Sequence, residues 1–321
     1  MARLKKFTFG VAAGVAAIVY ANAVRRRNAA LVRPRMRDAD GNTLSVRTHT
    51  YDDGETVEYI DVGEGDVLVW VPGADGPKET FSYQLPRFAK DYRVICADLR
   101  IRFDEADDFD RFVQDILDLL ETSGVDRFVL IGQSLGSAIT IRFASLFPER
   151  LRGMVLCNPL ARVSYEHVGL NRTALVPLAM ATTRWLPTEL SRALARVWSR
   201  LGLWLFDDSP GREALIDYAL YTGPRTVPTR IGDARVSRLK DQDLGLELSG
   251  IHVPALVLKG PHDVYCPVSW ALEIADRLPE ADYVPILGTG HCSHISRPGA
   301  FNHALEDWLS TLEDDSHGGD A

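Results

Sequence analysis

The chain has 321 residues, 46% of them apolar and 25% charged, which fits a globular protein with one full core plus an insertion and excludes wholesale disorder. The net charge of −8 is unevenly spread: residues 1–37 carry nine Lys/Arg and no Asp/Glu, leaving 27 basic against 44 acidic residues, or −17, in residues 38–321. An acidic body repels nucleic-acid backbones, so no nucleic-acid partner is expected. Four cysteines in a chain this long do not make a disulfide framework, and the eight His show no metal-ligand spacing, so neither a metal nor another cofactor is expected.

The first element is a basic start, Met1–Lys6, followed by the uncharged run Phe7–Val24 and then Arg25-Arg26-Arg27. Eighteen residues at about 1.5 Å each cover roughly 27 Å, the lower limit for crossing a hydrocarbon core. Ala21-Asn22-Ala23 imitates a signal-peptidase site, but three arginines behind it would hinder export. The expectation is therefore a retained N-terminal membrane anchor with a cytoplasmic catalytic body, over the alternative of export by a cleaved signal. Residues 1–37 are read as anchor and linker.

Thr43–Tyr51 and Glu55–Val62 read as paired strands around the turn Asp52-Asp53-Gly54. Strand and helix then alternate: strand Val67–Val71, helix Lys78–Ala89, strand Tyr92–Asp98, helix Phe109–Ser123, strand Phe128–Ile131, a helix after it, and strand Met154–Cys157. Such alternation implies an α/β fold, a mostly parallel central sheet with helices on both faces. Between 160 and 245 the strands stop and helical spacing takes over, with Pro187 opening a run whose apolar positions are 190, 194, 197, 198 and 201. Alternation returns with strand Ala255–Leu258, helix Val268–Leu278, strand Tyr283–Ile286 and helix Phe301–Leu312. The expected organisation is a core of residues 38–159 and 246–312, an inserted helical cap at 160–245, and an acidic disordered tail at 313–321. Trp185, Trp198 and Trp204 fall in the cap, as lining for an apolar substrate pocket or as the cap's own core.

The chemistry concentrates at Gly132-Gln133-Ser134-Leu135-Gly136, a G-x-S-x-G elbow between a buried strand and a helix. Small residues at 132 and 136 let strand and helix approach closely enough to hold Ser134 in a strained turn, its hydroxyl above the sheet. The Leu135 amide lies at the helix N-terminus, where an anion is favoured. A serine hydroxyl is a poor nucleophile until an imidazole takes its proton, and a carboxylate must orient that imidazole. Asp263 follows strand Ala255–Leu258 in Gly260-Pro261-His262-Asp263, and His291 follows the last strand in Gly288-Thr289-Gly290-His291. His294 is the competing imidazole, and His262 reads as a solvated loop residue. Cys96 and Cys157 read as core, whereas Cys266 and Cys292 lie near the proposed acid and base.

These motifs make the chain similar to the α/β-hydrolase superfamily over residues 43–312, in the family's order Ser, Asp, His. The resemblance implies Ser134, Asp263 and His291 as catalytic triad and no cofactor. Gly290–Pro298 also resembles small signalling hydrolases, including bacterial stress-response hydrolases and the karrikin and strigolactone receptors. Two departures stand out. Where the family has His-Gly after its third strand, this chain reads Pro72-Gly73-Ala74-Asp75-Gly76, and the amides of Ala74 and Leu135 are the expected oxyanion hole, worth ~3 kcal/mol per donor in the transition state. Where the family often has a Gly-rich turn after Asp-x-Arg, Asp98-Leu99-Arg100 continues as Ile101-Arg102-Phe103-Asp104.

The leading expectation is a serine hydrolase acting on a small-molecule carboxylic ester or similar acyl bond. Serine at the elbow argues against epoxide hydrolases and dehalogenases, which need a carboxylate there. Cofactor-free haloperoxidase or perhydrolase chemistry uses the same triad and stays open, as do an amidase and a carbon–carbon hydrolase. A ligand receptor with slow turnover is the alternative of another class.

Overall fold

In the computed structural model, residues 32–38, 40–164, 186–200, 211–226, 231–240 and 242–317 are described, with a few scattered positions before 28. Among the described residues eight strands form one sheet in the order β1-β2-β4-β3-β5-β6-β7-β8. They are β1 Arg47–Thr50, β2 Thr56–Val62, β3 Val67–Val71, β4 Arg93–Ala97, β5 Phe128–Gln133, β6 Leu151–Cys157, β7 Ala255–Lys259 and β8 Ala281–Pro285. The hairpin β1–β2 and the pair β2–β4 are antiparallel, and every later pairing is parallel.

The central strands are apolar on both faces, and alternation along each strand sorts the core into two layers. Val69, Val71, Leu130, Met154, Leu156 and Val257 face one layer, and Leu68, Trp70, Val129, Ile131, Val155 and Leu256 face the other. Helices α2 (Arg111–Thr122), α3 (Leu135–Leu146) and α7 (Val268–Arg277) cover the first. The short α1 (Leu85–Phe88) and the long α8 (Pro298–His317) cover the second. Such burial stabilises the fold by roughly 2 kcal/mol per large side chain. The last helix continues past Leu312 to His317.

The helix expected over Lys78–Ala89 is broken into a 3₁₀ turn at Lys78–Phe81 and α1. Pro86 is the reason: it lacks an N–H, and its ring excludes a helical carbonyl four residues earlier, so it sits in the first turn of a new helix. Between β6 and β7 every described element is helical: α4 Thr188–Arg200, α5 Arg212–Thr226, α6 Ile231–Ser237 and two 3₁₀ turns. In α4 the predicted apolar face is not the buried one. Leu190 and Val197 stay exposed, while Ser191, Ala195 and Ser199 turn inward, a row of small residues that lets α5 approach. Arg192 with Asp217 and Arg196 with Glu213 join the two helices.

The membrane expectation is corrected. Among the described residues no helix is long and apolar enough to cross a membrane. Most of Phe7–Val24 lies outside the described residues. The run is at the minimum spanning length, and eight of its eighteen residues are Ala or Gly, whose transfer out of water contributes little per residue. The anchor, the membrane partner and the localisation drawn from them are withdrawn. All four cysteines are free and buried, so Cys266 and Cys292 form no bridge.

Candidate active site

Ser134 stands between β5 and α3 with φ 53 and ψ −117, a conformation that a non-glycine residue adopts only under constraint. The constraint is close packing: a Cβ on Gly132 would lie 2.1 Å from the Gly136 carbonyl oxygen, and one on Gly136 2.2 Å from that of Val71. The Ser134 amide donates to the Cys157 carbonyl at 2.9 Å, tying the elbow to the end of β6. Ser134 remains half-buried amid fully buried neighbours. The Leu135 amide is the first of α3, and among the described residues neither it nor the Ala74 amide donates a hydrogen bond.

Asp263 lies in the turn that leaves β7 and is saturated with donors. Its Oδ1 accepts the amides of Tyr265 (2.9 Å) and Cys266 (3.1 Å), and its Oδ2 accepts His291 Nδ1 at 2.9 Å and Lys259 Nζ at 2.5 Å. Burial pushes the carboxyl up, but the charges and hydrogen bonds of His291 and Lys259 outweigh it and hold the group below the usual carboxylate range. For His291 burial favours the neutral ring, and the Asp263 carboxylate reverses that, raising it above its ordinary value. The Tyr265 ring packs edge-on to the imidazole, with centroids 5.5 Å apart.

The turn and the histidine loop are pressed together through glycine. A Cβ on Gly260 would meet the Gly290 carbonyl oxygen at 2.1 Å, and the His262 amide donates to Thr289 O. Asn158, at the end of β6 with φ 47, bridges the site: its Nδ2 donates to the His291 carbonyl at 2.8 Å, and its Oδ1 accepts the Gly260 amide at 2.8 Å. Gln133 Nε2 donates to the same His291 carbonyl. The elbow, the acid and the imidazole thus emerge at the carboxyl ends of β5, β7 and β8, on one edge of the sheet.

His294 is the other imidazole of this loop, and it is used differently. It is fully buried, with Nε2 hydrogen-bonded to Thr80 Oγ1 at 3.1 Å and its carbonyl accepting from Gln84. Burial pulls its ring down to about 3, so it is neutral at ordinary pH. His262 is exposed. Trp198 is half-buried and packs on a cluster of Ala195, Ile216, Ala219, Leu220 and Tyr221 of the insertion together with Val32 of the N-terminal segment. Trp185 and Trp204 lie outside the described residues.

Asp263, Cys266 and His291 hold ligand-type atoms within 4.8 Å of one another, spacing that suits a metal. The donor set does not fit one, because the Lys259 ammonium already occupies Asp263 Oδ2 and would face any cation bound there. Lys259 and Asn158 hold the candidate site through these hydrogen bonds and are absent from the sequence expectations. The available clue was a polar side chain at the end of an otherwise apolar strand, Lys259 after Ala255–Leu258 and Asn158 after Met154–Cys157.

Residues 68–304 match the model of the alpha/beta hydrolase family. The chain belongs to that family. Among its relatives, a 2-hydroxy-6-oxo-6-phenylhexa-2,4-dienoate hydrolase of Burkholderia cepacia is 24% identical over 269 residues, 79% of this chain and 91% of that one. The 3-oxoadipate enol-lactonase 2 of Acinetobacter baylyi is 23% identical over 257 residues, 78% of this chain and 91% of that one. The structure is similar to that of the esterase RhEst1 from Rhodococcus sp. ECU1013, with a TM-score of 0.68 and 22% identity over 84% of this chain and all of the other. That likeness speaks for the fold, and family membership makes this alpha/beta hydrolase an enzyme of the hydrolase class.

Proposed function

We propose that this hydrolase cleaves a carboxylic ester or similar acyl bond of a small molecule through Ser134, His291 and Asp263. The observation that carries the reading is the 2.9 Å contact of His291 Nδ1 with Asp263 Oδ2, at the same sheet edge as a serine held in a strained elbow. With Nδ1–H committed to the carboxylate, Nε2 is the proton acceptor. Ser134 Oγ attacks the acyl carbon as its proton passes to Nε2. The carbonyl π electrons move onto oxygen, and the amides of Ala74 and Leu135 receive that oxyanion. Collapse expels the leaving group, which takes the proton from the imidazolium. Water then repeats the sequence on the acyl-enzyme, releasing the acid and restoring Ser134.

A fluorophosphonate probe and short p-nitrophenyl esters test the reading on the full chain. Labelling at Ser134 and turnover are expected, and both should vanish in Ser134→Ala and His291→Ala. Absence of labelling together with absence of turnover in the parent chain would refute it.

A second reading has its own support. The Burkholderia cepacia relative is named for a 2-hydroxy-6-oxo-6-phenylhexa-2,4-dienoate, and its likeness covers 79% of this chain. If this protein shares that substrate, kcat/KM on the dienoate should exceed that on p-nitrophenyl esters by at least tenfold.

A further inference from the structure

The two loops in which this chain departs from the family pattern meet at a single side chain. Arg235, on α6 of the insertion, is 3% exposed and donates three hydrogen bonds into the core. Nη1 reaches the Ala74 carbonyl at 2.9 Å, Nη2 the Leu99 carbonyl at 2.7 Å and Nε the Arg100 carbonyl at 3.0 Å. The first acceptor belongs to the Pro72–Gly76 loop and the other two to the Asp98–Asp104 loop. The loops are also joined directly, Leu99 N donating to Gly76 O at 2.8 Å. A guanidinium suits this task, because its planar fork presents fixed donors in several directions at once.

The loop is shaped around that fork. Gly76 has φ +89, and a Cβ there would lie 2.1 Å from Arg235 Nη1 and 2.4 Å from Cζ. A glycine at 76 is therefore required both by the turn and by the space the guanidinium occupies. Burial pulls the Arg235 pKa down to about 10, which leaves it charged at neutral pH. A second contact from the insertion grips the next residue, with Tyr218 OH on α5 donating to the Asp75 carboxylate. Ala74 and Asp75 are thus held from above by two helices of the insertion.

We propose that Arg235 is a positioning residue for the oxyanion hole, holding Ala74 by its carbonyl, and with it the direction of the Ala74 N–H, so that the insertion helix α6 completes the catalytic geometry. In this chain, whose loop carries Pro72 where a histidine is usual, the anchor comes from a residue 161 positions later. The inference rests on the acyl-transfer reading given above. It adds that the insertion is part of the catalytic apparatus, so displacement of α6 would switch the hole off.

The test uses the full chain with Arg235→Lys, which keeps the charge but not the fork, and Arg235→Met. Each is compared with the parent for kcat, KM, and affinity for two ligands of one skeleton: a trifluoromethyl ketone, which forms the oxyanion on Ser134, and the corresponding secondary alcohol, which does not. Circular dichroism identifies the variants that fold, and Arg235→Lys keeps the test alive if Arg235→Met does not. The expected result is a kcat loss of tenfold or more, a matching loss for the ketone, and KM and alcohol affinity within threefold of the parent, the pattern of an interaction made only in the transition state. A kcat loss below threefold in a folded variant overturns the inference, as does an equal loss of ketone and alcohol affinity. Fluorophosphonate labelling and ester turnover in the parent separate the two failures: without both the acyl-transfer reading falls, and with them only the role of Arg235 is in question.

Discussion

Lys259 and His291 share one oxygen of Asp263, with Nζ at 2.5 Å and Nδ1 at 2.9 Å from Oδ2. Lys259 is fully buried at the end of β7, and its Nζ also donates to the Cys266 carbonyl at 2.5 Å. The carboxylate that steadies an imidazolium at 291 is therefore partly neutralised by a permanent neighbour. A cation at that oxygen opposes the rise in the His291 pKa, so it keeps more of the ring in the proton-accepting form.

The first expectation is a pH profile. On the acyl-transfer reading turnover needs neutral His291, whose pKa is raised, so kcat/KM should climb with pH along a limb whose midpoint lies above 6.5. Lys259→Met removes the opposing charge, and the limb should move to higher pH by about one unit. A limb below 6.5 in the parent, or one that stays put in the variant, contradicts this. The same groups affect stability with opposite signs. The raised His291 stabilises the fold below 6.5 and that contribution is lost as pH rises through its folded pKa. The lowered Asp263 stabilises above 3.8, and its contribution is lost as pH falls towards its folded value of about 2.

His291 and His294 sit three residues apart and should respond differently. His291→Ala removes the imidazole bonded to Asp263, and kcat should fall by roughly 10⁴. His294→Ala removes a neutral ring packed between Phe81 and Phe301, with centroids 5.5 and 6.0 Å away. Its cost should fall on stability, about 2–3 kcal/mol by denaturant titration, with kcat within threefold of the parent. Equal losses of kcat in the two variants would mean that the imidazoles are wrongly told apart.

What was legible in the sequence is what is local in the chain. The elbow is five consecutive residues between a strand and a helix, and the acid and histidine loops are marked by glycines next to strand ends. The layered sheet was legible because buried parallel strands are continuous apolar runs. The partners that hold the site were not, because they come from far away: Arg235 meets Ala74 across 161 positions, and Asn158 meets His291 across 133. The membrane expectation for Phe7–Val24 stood on length and absence of charge alone, and most of that run lies outside the described residues. In α4 the periodicity was real, but it did not say which face the neighbouring helix would choose.

Gly136→Ala probes the elbow without touching a reacting group. The new methyl would stand 2.2 Å from the Val71 carbonyl oxygen and 2.7 Å from that of Pro72, both backbone atoms that cannot swing aside. Overpacking of this kind costs about 3 kcal/mol, and the strain falls on the loop that carries Ala74. The expected outcome is a midpoint shift of that size in urea together with a kcat loss of at least tenfold. A variant with parent stability would show that the elbow is looser than its contacts imply.

The Arg100–Asp115 pair tests whether the loop after β4 matters for the site. Arg100 is 1% exposed and holds Asp115 through Nε at 2.6 Å and Nη2 at 2.8 Å, while Nη1 reaches Asp53 at 2.9 Å. Asp115→Ala leaves a buried guanidinium with part of its compensation gone, and removing one partner of such a pair costs about 3–5 kcal/mol. The bonds that remain, to Asp53 and to the Arg102 carbonyl, put the expected loss at the lower end, about 3 kcal/mol. Because the Arg100 carbonyl is one of the three held by Arg235, kcat should also fall, by roughly threefold to tenfold, as the loop relaxes. The double variant Arg100→Met/Asp115→Leu removes both charges and should recover at least half of the lost stability. Additive losses in the double variant would show that the two side chains act separately, and an unchanged kcat in Asp115→Ala would disconnect this loop from the oxyanion hole.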